Sequence, residues 1–95
     1  MKHKAIIRLL KTEEGGRQTS PLTGYRPQLK IDDRNQTSTY ITTCDGTEII
    51  QLGKRYHVYL ELQFESDYLA LLDKSRPIEL YEGSHLVGTG CFEGA

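Results

Sequence analysis

Histidines and adjacent carboxylates are the first side chains in this sequence that could carry chemistry, as metal ligands or as acid–base pairs. The three histidines, His3, His57 and His85, are scattered along the chain and share no ligand spacing, so the sequence predicts no metal site. The carboxylates Glu13 and Glu14 are adjacent, and neighbouring side chains of a strand point to opposite faces. They are therefore expected to flank a turn and not to share a reacting group.

Two cysteines are the other candidates for covalent chemistry. Cys44 and Cys91 lie far apart and match no metal-binding motif. Either thiol could pair with a histidine as a nucleophile only through contacts that the fold brings together. The sequence instead predicts two reduced thiols, buried or half-buried in strands. We therefore expect no catalytic residue, no cofactor and a cytoplasmic protein.

A polar loop that carries two arginines lies between two apolar runs. Two glycines precede Arg17, which predicts a turn that presents a cation. Further on, Pro27 lacks an amide hydrogen and restricts Arg26 before it to extended conformations, so this segment predicts a second turn that leads into a strand. The chain thus uses residues 12–27 for a shaped polar surface.

The length and charge of the chain limit its class. The 95 residues are expected to form one domain, 1–95, and the net charge of −1, from 12 basic and 13 acidic side chains, gives no overall basic footprint for indiscriminate nucleic-acid binding. The apolar run near the N-terminus is interrupted by Arg8 and Lys11 and is too short for a secretory signal. No stretch approaches the roughly 18 apolar residues of a membrane-spanning helix, so no membrane segment is predicted.

Hydrophobic periodicity predicts short strands separated by turns. Residues 56–64 carry the clearest signal, because apolar or aromatic side chains occupy every second position. The other predicted strands are residues 4–11, 28–32, 37–43, 48–52, 77–81 and 85–92. Residues 66–75 could form one helical turn or a loop. The pattern indicates an all-β domain and leaves open whether it is a sandwich or a barrel.

Two motifs in the loop and one near the end of the chain resemble a known family. They are Glu13-Glu14-Gly15-Gly16-Arg17, Gly24-Tyr25-Arg26-Pro27-Gln28 and Glu82-Gly83-Ser84-His85-Leu86-Val87-Gly88-Thr89-Gly90. Together they resemble the third, C-terminal domain of elongation factor Tu, whose closing strand reads E-G-G-R-x-V-G-x-G. The resemblance implies an all-β fold, a six-stranded antiparallel Greek-key barrel.

The resemblance also implies candidate binding residues. In elongation factor Tu this domain contacts the T-stem backbone of tRNA, mostly through phosphate and ribose, without reading its sequence. The matching residues here are Arg17, Gln18 and Gln28. Ser84-His85 stands where the family has Gly-Arg, so His85 replaces a permanent cation beside the same surface.

Some loop residues also have structural interpretations. Arg17 could lock the loop by pairing with Glu13, Glu14 or backbone carbonyls, and Arg26, as the residue before a proline, could brace it. Tyr25 is expected to pack its ring beneath the loop. Together with His85 and the two glutamines, these three residues form the predicted RNA- or partner-binding set.

The nucleotide chemistry of elongation factor Tu is not carried over. A phosphate-binding loop has the pattern G-x-x-x-x-G-K-[ST], and here two glycines are followed by Arg17-Gln18, so no GTP binding is expected. The resemblance implies a non-enzymatic module that binds tRNA or a translation-associated partner through residues 13–28 and 83–90. One alternative is a protein-interaction decoy, immunity or regulatory protein that binds a toxin, effector or other partner of elongation factor Tu without binding RNA. The other alternative is a remnant with a structural role only.

Overall fold

The computed structural model describes residues 2–63 and 77–93. In these ranges the chain forms six β-strands and one turn of 3-10 helix at Thr12–Glu14. The strands are β1 (Lys2–Leu9), β2 (Gln28–Lys30), β3 (Gln36–Thr43), β4 (Arg55–Leu62), β5 (Pro77–Glu82) and β6 (His85–Phe92). No helix within the described ranges is long and apolar enough to cross a membrane.

The six strands close into an antiparallel barrel in the order β1-β4-β3-β2-β5-β6, with β6 returning to pair with β1. Strands β2, β3 and β4 are consecutive neighbours, and β1 lies beside β4. A Greek key consists of three consecutive strands that pair with one another and a fourth strand that lies beside one end of the three. Here β2, β3 and β4 are the consecutive strands, and β1 lies beside β4. The prediction of an all-β, six-stranded antiparallel Greek-key barrel is therefore confirmed, and a barrel is chosen over a sandwich.

Alternating inward side chains fill the barrel. On β4, Tyr56, Val58 and Leu60 are buried while Arg55 and His57 are exposed, as the period of two predicts. Among the described residues, the buried hydrophobic core consists of Ala5, Ile7, Leu9, Leu29, Ile31, Ile41, Ile50, Tyr56, Val58, Leu60, Ile78, Leu80, Val87 and Phe92. The outward positions of the same strands are left for polar side chains, and these form the candidate sites.

The predicted strand at residues 48–52 is wrong. The segment makes one isolated bridge, between Ile49 and Leu22, and no ladder. Ile50 is fully buried in the core while Ile49 beside it is exposed, and Gly53 then turns the chain in the left-handed conformation, with φ of +82°. The bridge partner, Leu22, lies in the β1–β2 loop and not in a strand, so a segment with the composition of a strand forms no ladder here.

Other boundaries differ less from the sequence-based expectation. Strand β1 begins and ends two residues earlier than residues 4–11. The Leu10 amide still donates to the carbonyl of Val87 at 2.9 Å, and the chain then enters the 3-10 turn at Thr12–Glu14. The interpretation of residues 66–75 falls outside the described residues. The strands predicted at 37–43, 77–81 and 85–92 are found close to their expected bounds.

Two glycines of β6 allow the barrel to close. Gly90 lies between Ile7 of β1 and Ile78 of β5. A Cβ atom at Gly90 would overlap the carbonyl oxygen of Ile6 and crowd Ile7, and Gly88 is similarly tight against Leu9. The close approach of β6 to β1 therefore depends on the missing side chain.

We expect Gly90→Ala to destabilise the protein by about 2–3 kcal/mol, because the added methyl group meets backbone that cannot move without breaking the ladder. Thr89→Ala is the matched control, since this neighbouring side chain is exposed, and its effect should stay within about 0.5 kcal/mol. Urea unfolding followed by circular dichroism measures both. Equal stabilities of the two variants would contradict closure through Gly90.

Candidate functional site

The β1–β2 loop begins with a capped turn that holds Arg17 in place. The Glu14 carboxylate accepts the amide of Lys11 at 2.8 Å and the Arg8 guanidinium at 2.9 Å. Gly16 then packs its backbone against Leu10, so closely that a Cβ atom would overlap the Leu10 carbonyl. The turn is therefore anchored to β1 on both sides before the chain reaches Arg17. Glu13 and Glu14 lie within this turn, in the 3-10 helix Thr12–Glu14, and do not flank it as the sequence predicted.

Glu82, at the end of β5, is the centre of the site. Its carboxylate oxygen Oε2 accepts hydrogen bonds from both Nη1 of Arg17 and the hydroxyl of Tyr25. The Arg17 guanidinium also donates from Nε to the carbonyl of Thr19 at 3.0 Å and lies 4.8 Å above the centroid of the Tyr25 ring. Arg17 therefore locks the loop, as one interpretation of the sequence expected, but its carboxylate partner is Glu82 and not Glu13 or Glu14.

Each member of this group stabilises the ionisation state that the others need. Burial alone would raise the pKa of Glu82, but the Tyr25 hydroxyl and the Arg17 guanidinium lower it overall. Burial and the neighbouring carboxylate raise the pKa of Tyr25 well above its usual value, so this hydroxyl remains a donor. Burial disfavours the charge of Arg17, yet Tyr25 and Glu82 hold its pKa above the ordinary value. The cluster therefore contains a compensated ion pair.

His85 fastens the other end of the turn. Its Nε2 donates to the carbonyl oxygen of Gly15, and as the first residue of β6 it lies just after the β5–β6 turn that follows Glu82. Three of the residues predicted from the sequence, Arg17, Tyr25 and His85, thus meet where the loop lies against the β5–β6 hairpin. Tyr25 is half-buried against the core beneath Arg17, which confirms the packing expected for its ring.

The remaining predicted residues lie beside this cluster. Gln18 is exposed and makes no hydrogen bond with any described residue. Arg26 stacks on Tyr40, with its guanidinium carbon 5.1 Å from the ring centroid. Gln28 donates from Nε2 to the hydroxyl of Ser38 at 3.0 Å. These contacts leave most of the Arg26 and Gln28 surface facing outward.

Arg26 and Gln28 belong to a row of polar side chains that we call the β2 face, made of Arg26, Gln28, Lys30, Tyr40 and Tyr81. The first three alternate with buried positions of the chain and so point outward. Lys30 stacks on Tyr81 at 5.7 Å, and its nearest carboxylate, on Asp33, lies 4.0 Å away. The β2 face therefore carries two cations that are stacked on aromatic rings.

Three residues of the site were not identified from the sequence. The role of Glu82 depends on contacts with residues that are distant in the sequence. Its position as the first residue of the motif at 82–90 was the one sequence feature that could have identified it. Leu22 and Ile49 are 62% and 48% exposed and face each other across their isolated bridge. Leu22 lies in the loop itself, so the loop carries one member of an exposed apolar pair in addition to its polar groups.

The thiols and histidines form no metal centre in the described part of the chain. No group of three or more His, Cys, Asp or Glu side chains within residues 2–63 and 77–93 is placed to hold a metal ion. Cys91 is half-buried in β6, as predicted. Cys44 is exposed just after β3 ends, contrary to the prediction, because it lies opposite the exposed His57 at an outward position of the barrel.

Acid should weaken the contact between the loop and the β5–β6 hairpin, which depends on the Glu82 carboxylate. Since the pKa of Glu82 is lowered in the folded protein, its contribution is present above the ordinary value of about 4.3 and is lost as the pH falls through the lowered value. The Glu82 side chain is 39% exposed, so we expect Glu82→Gln to remove less than about 1 kcal/mol at neutral pH. The unfolding free energy of this variant should fall less steeply than that of the parent between about pH 5 and pH 3.

Urea unfolding across this pH range measures both slopes. Glu48→Gln is the matched control, because the Glu48 side chain pairs with no described residue. If the unfolding free energies of the parent and Glu82→Gln fall equally steeply with pH, the ionised Glu82 side chain does not stabilise the loop on the hairpin.

Comparison with known protein families gives no independent assignment. No family model matches this chain.

Proposed function

We propose that this protein is a non-enzymatic, cytoplasmic binding module that resembles the third domain of elongation factor Tu. Its loop of residues 13–28 and its strand of residues 83–90 dock a protein partner associated with translation. The supporting observation is the fixed position of the loop, which Glu82 holds on the β5–β6 hairpin through Arg17 and Tyr25. A surface that is ordered before binding loses less conformational entropy in the complex.

The charges and side-chain types favour a protein over RNA as the partner of this loop. Arg17 is already paired with Glu82, so binding a phosphate there requires breaking that pair. Arginine and tyrosine are the residue types most often found at the centres of protein interfaces. The exposed pair of Leu22 and Ile49 adds apolar area, which marks interaction surfaces more than phosphate sites. The partner would be a protein that normally binds elongation factor Tu, whether a component of translation or a toxin or effector.

Binding of tRNA is the second candidate, and the β2 face is the observation that favours it. Arg26 and Lys30 point outward on either side of Gln28, and both cations are presented on tyrosine rings. Such a row can donate to successive phosphates and riboses without reading a sequence. In this candidate the RNA lies along β2 and beside the loop, with Gln18 as an additional donor.

Two double variants separate these candidates in a pull-down from host lysate in which bound proteins and bound RNA are both identified. Docking of a protein predicts one stoichiometric protein that is lost with Leu22→Ser/Ile49→Ser and retained with Arg26→Gln/Lys30→Gln. Binding of tRNA predicts the reverse pattern for enriched tRNA. With about three phosphate contacts, a fourfold rise in salt should weaken that RNA binding by one to two orders of magnitude. If neither class is enriched by the parent protein, both candidates are contradicted.

A further inference from the structure

The fold brings Cys44 and His57 together, although they are separated in the sequence. Thr43 pairs with Val58 in the β3–β4 ladder, and the Cys44 amide donates to the carbonyl of His57 at 3.0 Å. Cys44 and His57 are therefore the next pair of the ladder, and both are exposed on the outside of the barrel. Cβ atoms of directly opposed residues lie about 4.5–5.5 Å apart, and Cys44 and His57 line the same cavity.

A carboxylate fixes the orientation of this imidazole. Nδ1 of His57 lies 2.7 Å from Oε1 of Glu93, and the Glu93 amide donates to the carbonyl of Lys4 at 2.9 Å, which holds the glutamate beside β1. With its Nδ1–H donated to a carboxylate, the neutral imidazole keeps Nε2 as the proton acceptor. Glu93 positions the ring, His57 can take a proton, and Cys44 supplies a nucleophile.

A cavity next to the thiol contains cationic side chains. It has a volume of about 280 Å³, and Lys54 and Arg55 line it together with Cys44 and His57. Lys54 is close enough to Asp45 to contribute to the lowered pKa of that carboxyl. Arg55 forms no ion pair with any described residue and lies directly opposite Arg8 in the β1–β4 ladder. The cavity lining also includes the Asp45 carboxylate, so it holds two cations against one carboxylate beside the thiol. This balance of charges favours an anionic ligand.

From this arrangement we propose that Cys44 is a modification site that forms a mixed disulfide with an anionic low-molecular-weight disulfide, such as oxidised glutathione. The Cys44 thiol gives its proton to Nε2 of His57, and the thiolate attacks one sulfur of the bound disulfide. A bond forms between Sγ of Cys44 and that sulfur, and the original sulfur–sulfur bond breaks. The other half leaves as a thiolate and takes up the proton, so the small disulfide is the oxidant and Cys44 is oxidised.

The test compares reaction rates in a Cys91→Ser protein, where Cys44 is the only thiol. Oxidised glutathione should add one glutathionyl group by intact-mass spectrometry, faster than it adds to Cys91 in the Cys44→Ser protein. His57→Gln should slow the reaction of Cys44 about tenfold or more with both anionic dithiobis(nitrobenzoate) and neutral dithiodipyridine, because it removes the proton acceptor. Glu93→Gln should slow it less, because the acceptor is kept and only its orientation is lost.

The cationic cavity has its own control. Arg55→Gln should slow the anionic reagent several-fold and leave the neutral reagent unchanged, because only the electrostatic attraction is removed. Arg34→Gln, which deletes the same charge at an exposed position outside the cavity, should change neither rate. The proposal is overturned if Cys44 reacts no faster than Cys91, or if His57→Gln reacts as fast as the parent. Loss of rate with both reagents in Arg55→Gln would overturn the role of the cation as a binding group. None of these outcomes depends on the partner that the loop binds.

Discussion

The carboxylate of Glu82 is the constraint on which the arrangement of the candidate site depends. It joins Arg17 and Tyr25 of the β1–β2 loop to the end of β5, across 65 positions of sequence in the case of Arg17. The loop occupies residues 10–27 and contains one turn of 3-10 helix but no named strand. Loops of this length are uncommon in compact domains unless they are packed or functional. Here it is packed, because the loop is fastened by Glu14 and Gly16 at its start and by Glu82 farther along. Strand residues of the barrel make two of these contacts, since Arg8 of β1 binds Glu14 and Glu82 of β5 binds Arg17 and Tyr25.

The same carboxylate that orders the loop also limits what the loop can bind. Pairing with Glu82 cancels the charge of Arg17, so the surface gains a fixed shape and loses attraction for phosphate. Breaking a partly buried ion pair leaves one charge without its partner, which costs more than the pair contributes when intact. The geometry therefore favours complementary shape and mixed polarity over simple charge attraction. The cations that remain available lie elsewhere, on the β2 face and in the cavity beside Cys44.

The sequence predicts the parts of this fold that depend on local pattern. The alternation over residues 56–64 identifies β4, and the β-branched run after residue 36 identifies β3, because one buried face dictates every second side chain. The two isoleucines at 49 and 50 are the informative failure. Their alternation of an exposed and a buried position is that of a strand, but a ladder also needs a partner strand, and the residue opposite Ile49 lies in a loop.

The functional contacts were harder to predict because they join residues that are distant in sequence. Arg17, Tyr25 and His85 were identified as candidates from their motifs. The role of Glu82, which binds both Arg17 and Tyr25, becomes evident only when β5 is placed beside β2. The same holds for Cys44 and His57, since a thiol and an imidazole become a pair only through the register of β3 and β4. Residue type and spacing thus named several members of the site, and barrel topology determined their partners.

The most direct test of this account is the mobility of the loop in the free protein. NMR relaxation gives a backbone order parameter for each amide of residues 12–26, and these can be compared with the strands of the barrel. A loop held by Glu82 before any partner binds predicts values of about 0.85, equal to those of rigid strands. Values below about 0.6 along the loop would mean that it is flexible when free, and they would contradict a preformed binding surface.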